Sequence, residues 1–228
     1  MIERLRSAGA ILIAKLAMIE LAGGMNYNQA DACWTGACRT PWNRDYWSGG
    51  SSSGPGAAVA AGLVAFAIGS ETSGSIITPA AFCGVAGLRP TYGAISRHGA
   101  MALSWTLDKL GPMCRSAHDC GLVMAAIAGT DKRDPTTRRG YRFTFPTGQS
   151  PHARTRKLRL AVMKDSYEKA QPEVRDNFVR SLTVLKRFAT VEMDFKLPDF
   201  PYGPMVGTVV DAEGASAFRE LIESGAGA

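Results

Sequence analysis

No CxxC pair occurs in this sequence, and its five cysteines, Cys33, Cys38, Cys83, Cys114 and Cys120, are an odd set. That argues against both a structural zinc site and a disulfide framework, and it fits a reducing, cytoplasmic setting. Long apolar runs are missing too. The stretch over 8–23 is apolar enough to resemble a signal peptide, but Lys15 and Glu20 interrupt it. No other segment offers the ~20 apolar residues of a membrane span, so no membrane partner is expected. Neither Gly/Ser-rich loop contains GxxxxGK[ST], which excludes a phosphate-binding P-loop. There is no internal repeat.

What is present is a 228-residue chain, 46% hydrophobic, able to build an interior core. Its formal net charge is +6. The densest basic run, Arg154, Arg156, Lys157 and Arg159, has few aromatics and no nucleic-acid motif beside it. It reads as a solvated loop, and no nucleic-acid partner is expected.

Hydrophobic patterning predicts a short buried strand over 10–13, then mostly loop to Tyr46. From Ser48 the composition turns to glycine and serine. Pro55 in a first turn, the alanine-rich run 57–61 and Gly62 as a stop predict a short, tightly packed helix. A buried strand is expected over 63–68, a Gly/Ser loop over 69–75 and a helix over 76–82. Further on, the pattern predicts a turn over 91–93, a break over 110–113 and an amphipathic helix over 117–128. A surface excursion is expected over 136–156, then a strand over 158–163. A helix over 172–188 carries Val174, Phe178, Leu182 and Leu185 at helical spacing, and a helix-like segment runs from Ala212. Alternating strands and helices predict an α/β fold with a mixed central sheet flanked by helices, in a single domain over 1–228.

Serine is a poor nucleophile until a base removes its proton, and acyl transfer also needs N–H donors aimed at the developing oxyanion. The two Gly/Ser loops, 48–56 and 69–75, lie between apolar elements, which argues against a flexible linker. Residues 50–54 match GxSxG, which would place a nucleophile at Ser52 with His152 completing a triad. That elbow must follow a buried strand, whereas the run Asn43, Arg44, Asp45, Tyr46, Trp47 is polar.

The run over 49–93, GGSSSGPGAAVAAGLVAFAIGSETSGSIITPAAFCGVAGLRPTYG, resembles the signature region of the amidase signature family. AGAILIAK near the start, RTPWN over 39–43 and LDKLGPMCRSAHDC from Leu107 extend the likeness. The resemblance implies a Ser–cis-Ser–Lys triad, with Ser75 as nucleophile and Ser51 as the bridging serine after a cis peptide. It implies an oxyanion hole from the backbone N–H groups of Thr72, Ser73, Gly74 and Ser75, with Ser52 in support. No metal or organic cofactor is implied, and the partner is a small-molecule amide or ester. Ile77 and Thr78 stand where many members carry an arginine, which favours neutral aryl or apolar amides.

The family's lysine lies upstream of AGAILIAK, and Lys15 matches a different position. Three accounts stay open: the chain is a fragment, Lys15 or another lysine substitutes, or catalysis is impaired. Members also continue beyond the helix near Ala212, so an open acyl pocket and self-association into a homo-oligomer are expected. The second functional reading is a non-autonomous component like the amidotransferase A subunit that releases ammonia for transamidation of mischarged tRNA. The third is a binding module that keeps the fold without the chemistry.

Overall fold

The computed structural model describes residues 1–23, 30, 33–145, 158–163 and 166–225. In chain order the elements are α1 (Ile2–Ser7), β1 (Arg39–Thr40), β2 (Asn43–Trp47), α2 (Ser53–Ala60), β3 (Phe66–Glu71), α3 (Ile77–Cys83), β4 (Ala86–Gly87) and β5 (Lys109–Cys114). There follow α4 (Ala117–Ile127), β6 (Leu158–Met163), α5 (Pro172–Leu185), β7 (Ala189–Phe195), α6 (Tyr202–Ala217) and α7 (Arg219–Glu223). They divide into two units, Met1–Phe145 with Tyr202–Ala228, and Pro146–Pro201. The fold is mixed α/β, with strand pairs of both senses carried in three separate sheets among the described residues.

In the larger unit β5 is the central strand of the sheet β3-β5-β4, antiparallel to both neighbours. β3 alternates half-buried and buried residues, the period-two pattern of a strand with one covered face. Its end, Glu71, pairs with the start of β5, Lys109, so the loop after β3 begins beside the entry to β5. Helix α2, made almost wholly of small residues, packs tightly because it has so little side chain: a Cβ on Gly54 would lie 2.6 Å from the Ala17 nitrogen. Gly62, at φ +73°, follows the capping residue Ala61 and ends the helix.

Helix α4 shows how local chemistry sets an element's ends. Ser116 Oγ accepts from the Asp119 N–H at 3.1 Å and donates to the Asp119 carboxylate at 2.7 Å, a reciprocal cap. At the other end Arg4 of α1 donates to the carbonyls of Ile127 and Ala128, satisfying acceptors that have no partner within the helix. Between these ends Met124 and Ile127 pack on Ala94 and Ile95, with Leu5, Ile68 and Leu110 around them. In the smaller unit β6 and β7 pair in parallel, as strands joined through a helix do, and α5 buries Leu182.

The helices expected over 55–61, 76–82, 117–128 and 172–188 are α2, α3, α4 and α5, and the strand over 158–163 is β6. Several expectations are corrected. Residues 10–13 form no strand: Ile11 is 87% and Ile13 73% exposed, and an apolar run without a described ladder partner has nothing to pair with. The strand expected over 63–68 begins only at Phe66, after a turn at 61–65. The loop before Tyr46 contains the β1–β2 hairpin. The break over 110–113 is instead part of β5, the central strand. Pro112 is tolerated there because its carbonyl does the bonding, accepting from the Leu88 N–H at 2.9 Å. Thr137, expected on the surface, is buried. Helix α6 starts at Tyr202, ten residues before Ala212. The remainder of the 136–156 excursion from Pro146, with His152, Arg154 and Arg156, and also Lys157, lies outside the described residues.

Gly111 makes the three-stranded sheet possible, since a Cβ there would stand 2.1 Å from the Leu88 carbonyl oxygen. Gly111→Ala is expected to cost about 3 kcal/mol in urea denaturation, the upper range for overpacking. Gly203→Ala, with nothing within 4 Å of the added carbon, is the control and is expected to stay within about 1 kcal/mol of the parent.

Candidate active site

Two serine-bearing loops meet at the end of β3. The first enters α2 through Ser48 to Ser53, all buried. The Gly50–Ser51 peptide bond is cis. The Ser51 carbonyl accepts from the N–H groups of Ile19 at 3.0 Å and Ser53 at 2.9 Å, so its backbone is held from both sides. Ser51 Oγ is buried and makes no hydrogen bond among the described residues. A buried hydroxyl without a partner is costly, so the atom marks a place where a further group belongs.

Ser52 ties this loop to the second. Its hydroxyl donates to the Ser70 carbonyl at 3.0 Å and accepts from the Ser70 N–H at 3.1 Å. Its N–H donates to the Ser75 carbonyl at 3.2 Å. Gly69 gives the hydroxyl room, because a Cβ there would lie 2.9 Å from it.

The second loop, from Thr72 to Ser75, is anchored by three charged side chains. Glu71, 2% exposed, accepts with one carboxylate oxygen from the N–H groups of Ile76 at 2.7 Å and Ile77 at 3.0 Å. It thereby satisfies the first turn of α3 and fixes Ser75 next to it, while its other oxygen faces Arg89 Nε at 3.4 Å. Asp108 accepts from Thr72 Oγ1 at 2.6 Å and from the N–H groups of Leu103 and Ser104 at 2.9 and 3.0 Å. Lys109 donates from Nζ to the Thr72 carbonyl at 3.0 Å. Burial, with Arg89 adding to it, holds the Lys109 ammonium below the ordinary lysine range, against the opposing pull of Glu71 and Asp108. Glu213 of α6 braces the same region by accepting from Ser104 Oγ and from both polar groups of Thr106.

Between these anchors the N–H groups of Ser73, Gly74 and Ser75 make no hydrogen bond to any described residue. Gly74 takes φ +93°, a conformation that glycine adopts without steric cost. Ser75 itself is nearly buried, at 7% exposure. The arrangement therefore holds a serine beside unpaired backbone donors, next to a second buried serine, which is the equipment acyl transfer requires.

The structure brings Ser51, Ser52, Thr72, Ser73, Gly74 and Ser75 into these joined loops. Lys15 is exposed, and among the described residues Lys109 is a lysine that hydrogen-bonds to these loops. Reading the residues alone did not single out Asp108, Lys109 or Glu213. The first two lie in LDKLGPMC, where a break was expected instead of a strand, so nothing directed them toward Thr72.

The chain belongs to the amidase family, whose match runs over residues 1–225. Among curated relatives it is 37% identical over 219 residues to the glutamyl-tRNA(Gln) amidotransferase A subunit of Lachnospira eligens, covering 94% of this chain and 44% of the relative. The corresponding A subunit of Bacillus thuringiensis is 38% identical over 217 residues, with 95% and 44% covered. Among solved structures, the glutamyl-tRNA(Gln) amidotransferase A subunit from Thermotoga maritima superposes with a TM-score of 0.82 at 31% identity, covering 96% of this chain and 47% of that one. The native peptide amidase from Stenotrophomonas maltophilia gives 0.78 at 32% identity, again 96% and 47%. The chain thus spans less than half the length of the curated relatives it matches.

Removing the Glu71 carboxylate leaves the N–H groups of Ile76 and Ile77 unpaired beside Ser75. Glu71→Ala is expected to lower unfolding free energy by about 3 kcal/mol, as loss of buried hydrogen bonds to a charged acceptor does. Lys109 adds a pH dependence. Its pKa is lower folded than unfolded, so between the two values the unfolded chain binds the extra proton, and stability rises with pH across that alkaline window. Denaturant titrations at a series of alkaline pH values are expected to show the parent gaining on Lys109→Met as pH increases.

Proposed function

We propose that this protein is an amide hydrolase that works through an acyl-enzyme on Ser75. The observation that carries the reading is the loop geometry: Ser75 stands beside the unpaired N–H groups of residues 73 to 75 and is joined through Ser52 to the buried, unpartnered hydroxyl of Ser51. Family membership and the likeness to a peptide amidase support it.

In this reading Ser75 Oγ attacks the amide carbonyl carbon and passes its proton to Ser51, whose own proton moves to a neutral lysine. The backbone N–H groups hold the oxyanion. Collapse of the tetrahedral intermediate breaks the C–N bond, the amine leaves with the returned proton, and water then hydrolyses the acyl ester by the same relay. The open position is the lysine, for which the unpartnered Ser51 Oγ is the docking point. Ser52 supports both loops and takes no part in bond making.

A cavity of about 210 Å³ has Ser70 and Thr72 on its wall; Met101, Leu103, Trp105 and Leu110 give it apolar surface, Arg97, Asp108, Arg133 and Asp134 add charge of both signs, and Ser51 and Ser75 are not on it. Ile77 and Thr78, where many family members carry an arginine, support a neutral substrate with an aryl or apolar substituent, and esters of the same acids are the faster substrates because their leaving groups are better. One observation favours a second reading: both curated relatives cited are amidotransferase A subunits, so glutamine in the presence of partner subunits is the competing substrate.

Hydrolysis of a nitroanilide, a nitrophenyl ester and glutamine by the purified protein separates these. The hydrolase reading expects turnover of the first two, abolished in Ser75→Ala. It also expects kcat reduced about 100-fold or more in Ser51→Ala with KM little changed, the scale of losing a proton relay. Release of ammonia from glutamine only after partner subunits are added would favour the second reading.

A further inference from the structure

Lys109 is a buried cation with an unusual partner. It opens β5 directly across the ladder from Glu71, is 8% exposed, and its hydrogen bond runs to a neutral acceptor, the Thr72 carbonyl. The nearby carboxylates are committed elsewhere: Glu71 to Ile76, Ile77 and Arg89, and Asp108 to Thr72 Oγ1, Leu103 and Ser104. Burying an ammonium whose hydrogen-bond acceptor is a neutral carbonyl is costly, so the contact calls for an explanation.

The Thr72 carbonyl and the Ser73 N–H belong to one planar peptide group. That peptide is trans, so the two point to opposite sides. A cation on the oxygen draws electron density across the peptide and strengthens the N–H as a donor, the cooperative polarisation seen along chains of hydrogen bonds. The Ser73 N–H makes no hydrogen bond to any described residue, and it is one of the donors assigned to the oxyanion. Asp108 also clamps Thr72 by its hydroxyl, so the peptide is held at both the side chain and the carbonyl.

We propose that Lys109 is a positioning residue that holds and polarises the Thr72–Ser73 peptide, so that the Ser73 N–H binds the oxyanion more strongly than the ground-state carbonyl. The proposal rests on the hydrolase reading of Ser75 for its catalytic consequence, but not for the polarised peptide itself. Burial lowers the Lys109 pKa, and the charged groups that act on it are Arg89, Glu71, Asp108 and Arg97. Its deprotonation therefore removes the effect at alkaline pH.

Two measurements on the full chain test this. The first follows the Ser73 amide resonance of ¹⁵N-labelled protein with pH. It is expected to move as Lys109 titrates in the parent, to be insensitive over the same range in Lys109→Met, and to stay at the protonated-state position in Lys109→Arg. The second compares an aryl boronic acid, which forms a tetrahedral anion on a reactive serine, with the planar nitroanilide. Lys109→Met is expected to weaken boronate affinity about tenfold, short of the hundredfold or more of losing an oxyanion donor outright, with the nitroanilide KM unchanged and Lys109→Arg restoring affinity. A Ser73 resonance indifferent to Lys109, or equal weakening of boronate and nitroanilide, overturns the proposal. A resonance that follows Lys109 in a protein that neither binds boronate nor hydrolyses the nitroanilide upholds the polarised peptide and overturns the hydrolase reading.

Discussion

Ser52 is the joint on which the site depends. Its hydroxyl engages both polar groups of Ser70 and its N–H engages Ser75, so one residue sets the spacing between the loop that enters α2 and the loop that leaves β3. The surrounding glycines are packing requirements, since side chains at Gly69, Gly54 or Gly50 would collide with Ser52, Ala17 or Trp47. A stretch that composition alone would assign to a linker is therefore among the most closely packed parts of the chain. Rigid loops matter here because donors aimed at a developing charge help only if they need not reorganise when the charge appears.

The electrostatics follow the same logic. Glu71, Asp108 and Lys109 are charges next to the 72 to 75 loop, yet their hydrogen bonds in this region go to backbone groups or to the Thr72 hydroxyl. They shape the loop and leave the N–H groups of Ser73, Gly74 and Ser75 without a hydrogen bond to any described residue. Glu213 extends this bracing to α6, tying the segment before β5 to an element more than a hundred residues later. The site is thus assembled from β3, α3, β5 and α6 around loops that have little regular structure of their own.

Ser51, Ser52 and the 72 to 75 loop were legible through the resemblance of 49–93 to a family signature, whereas their glycine and serine content alone reads as readily as a linker. Helices α4 and α5 were legible from their amphipathic, helical spacing of apolar residues. What was not legible depended on long-range pairing. The apolar run at 10–13 has the composition of a strand, but a strand exists only with a partner, and none is described. Pro112 argued for a break where β5 runs, since the local rule ignores that a carbonyl alone can carry a ladder position. Once β5 was missed, Asp108 and Lys109 had no visible relation to Thr72, although they precede and open that strand. The structure divides into two compact units, and a division of that kind leaves no mark in composition.

The most direct test of the central claim is covalent. A fluorophosphonate reacts with a serine only when a base and an oxyanion hole act on it together, so the stoichiometry and position of the adduct report on the assembled site without any assumption about substrate. The account expects one adduct per chain, mapped by peptide mass spectrometry to Ser75 and absent in Ser75→Ala. An adduct on another residue, or a folded protein that takes up none, would contradict it.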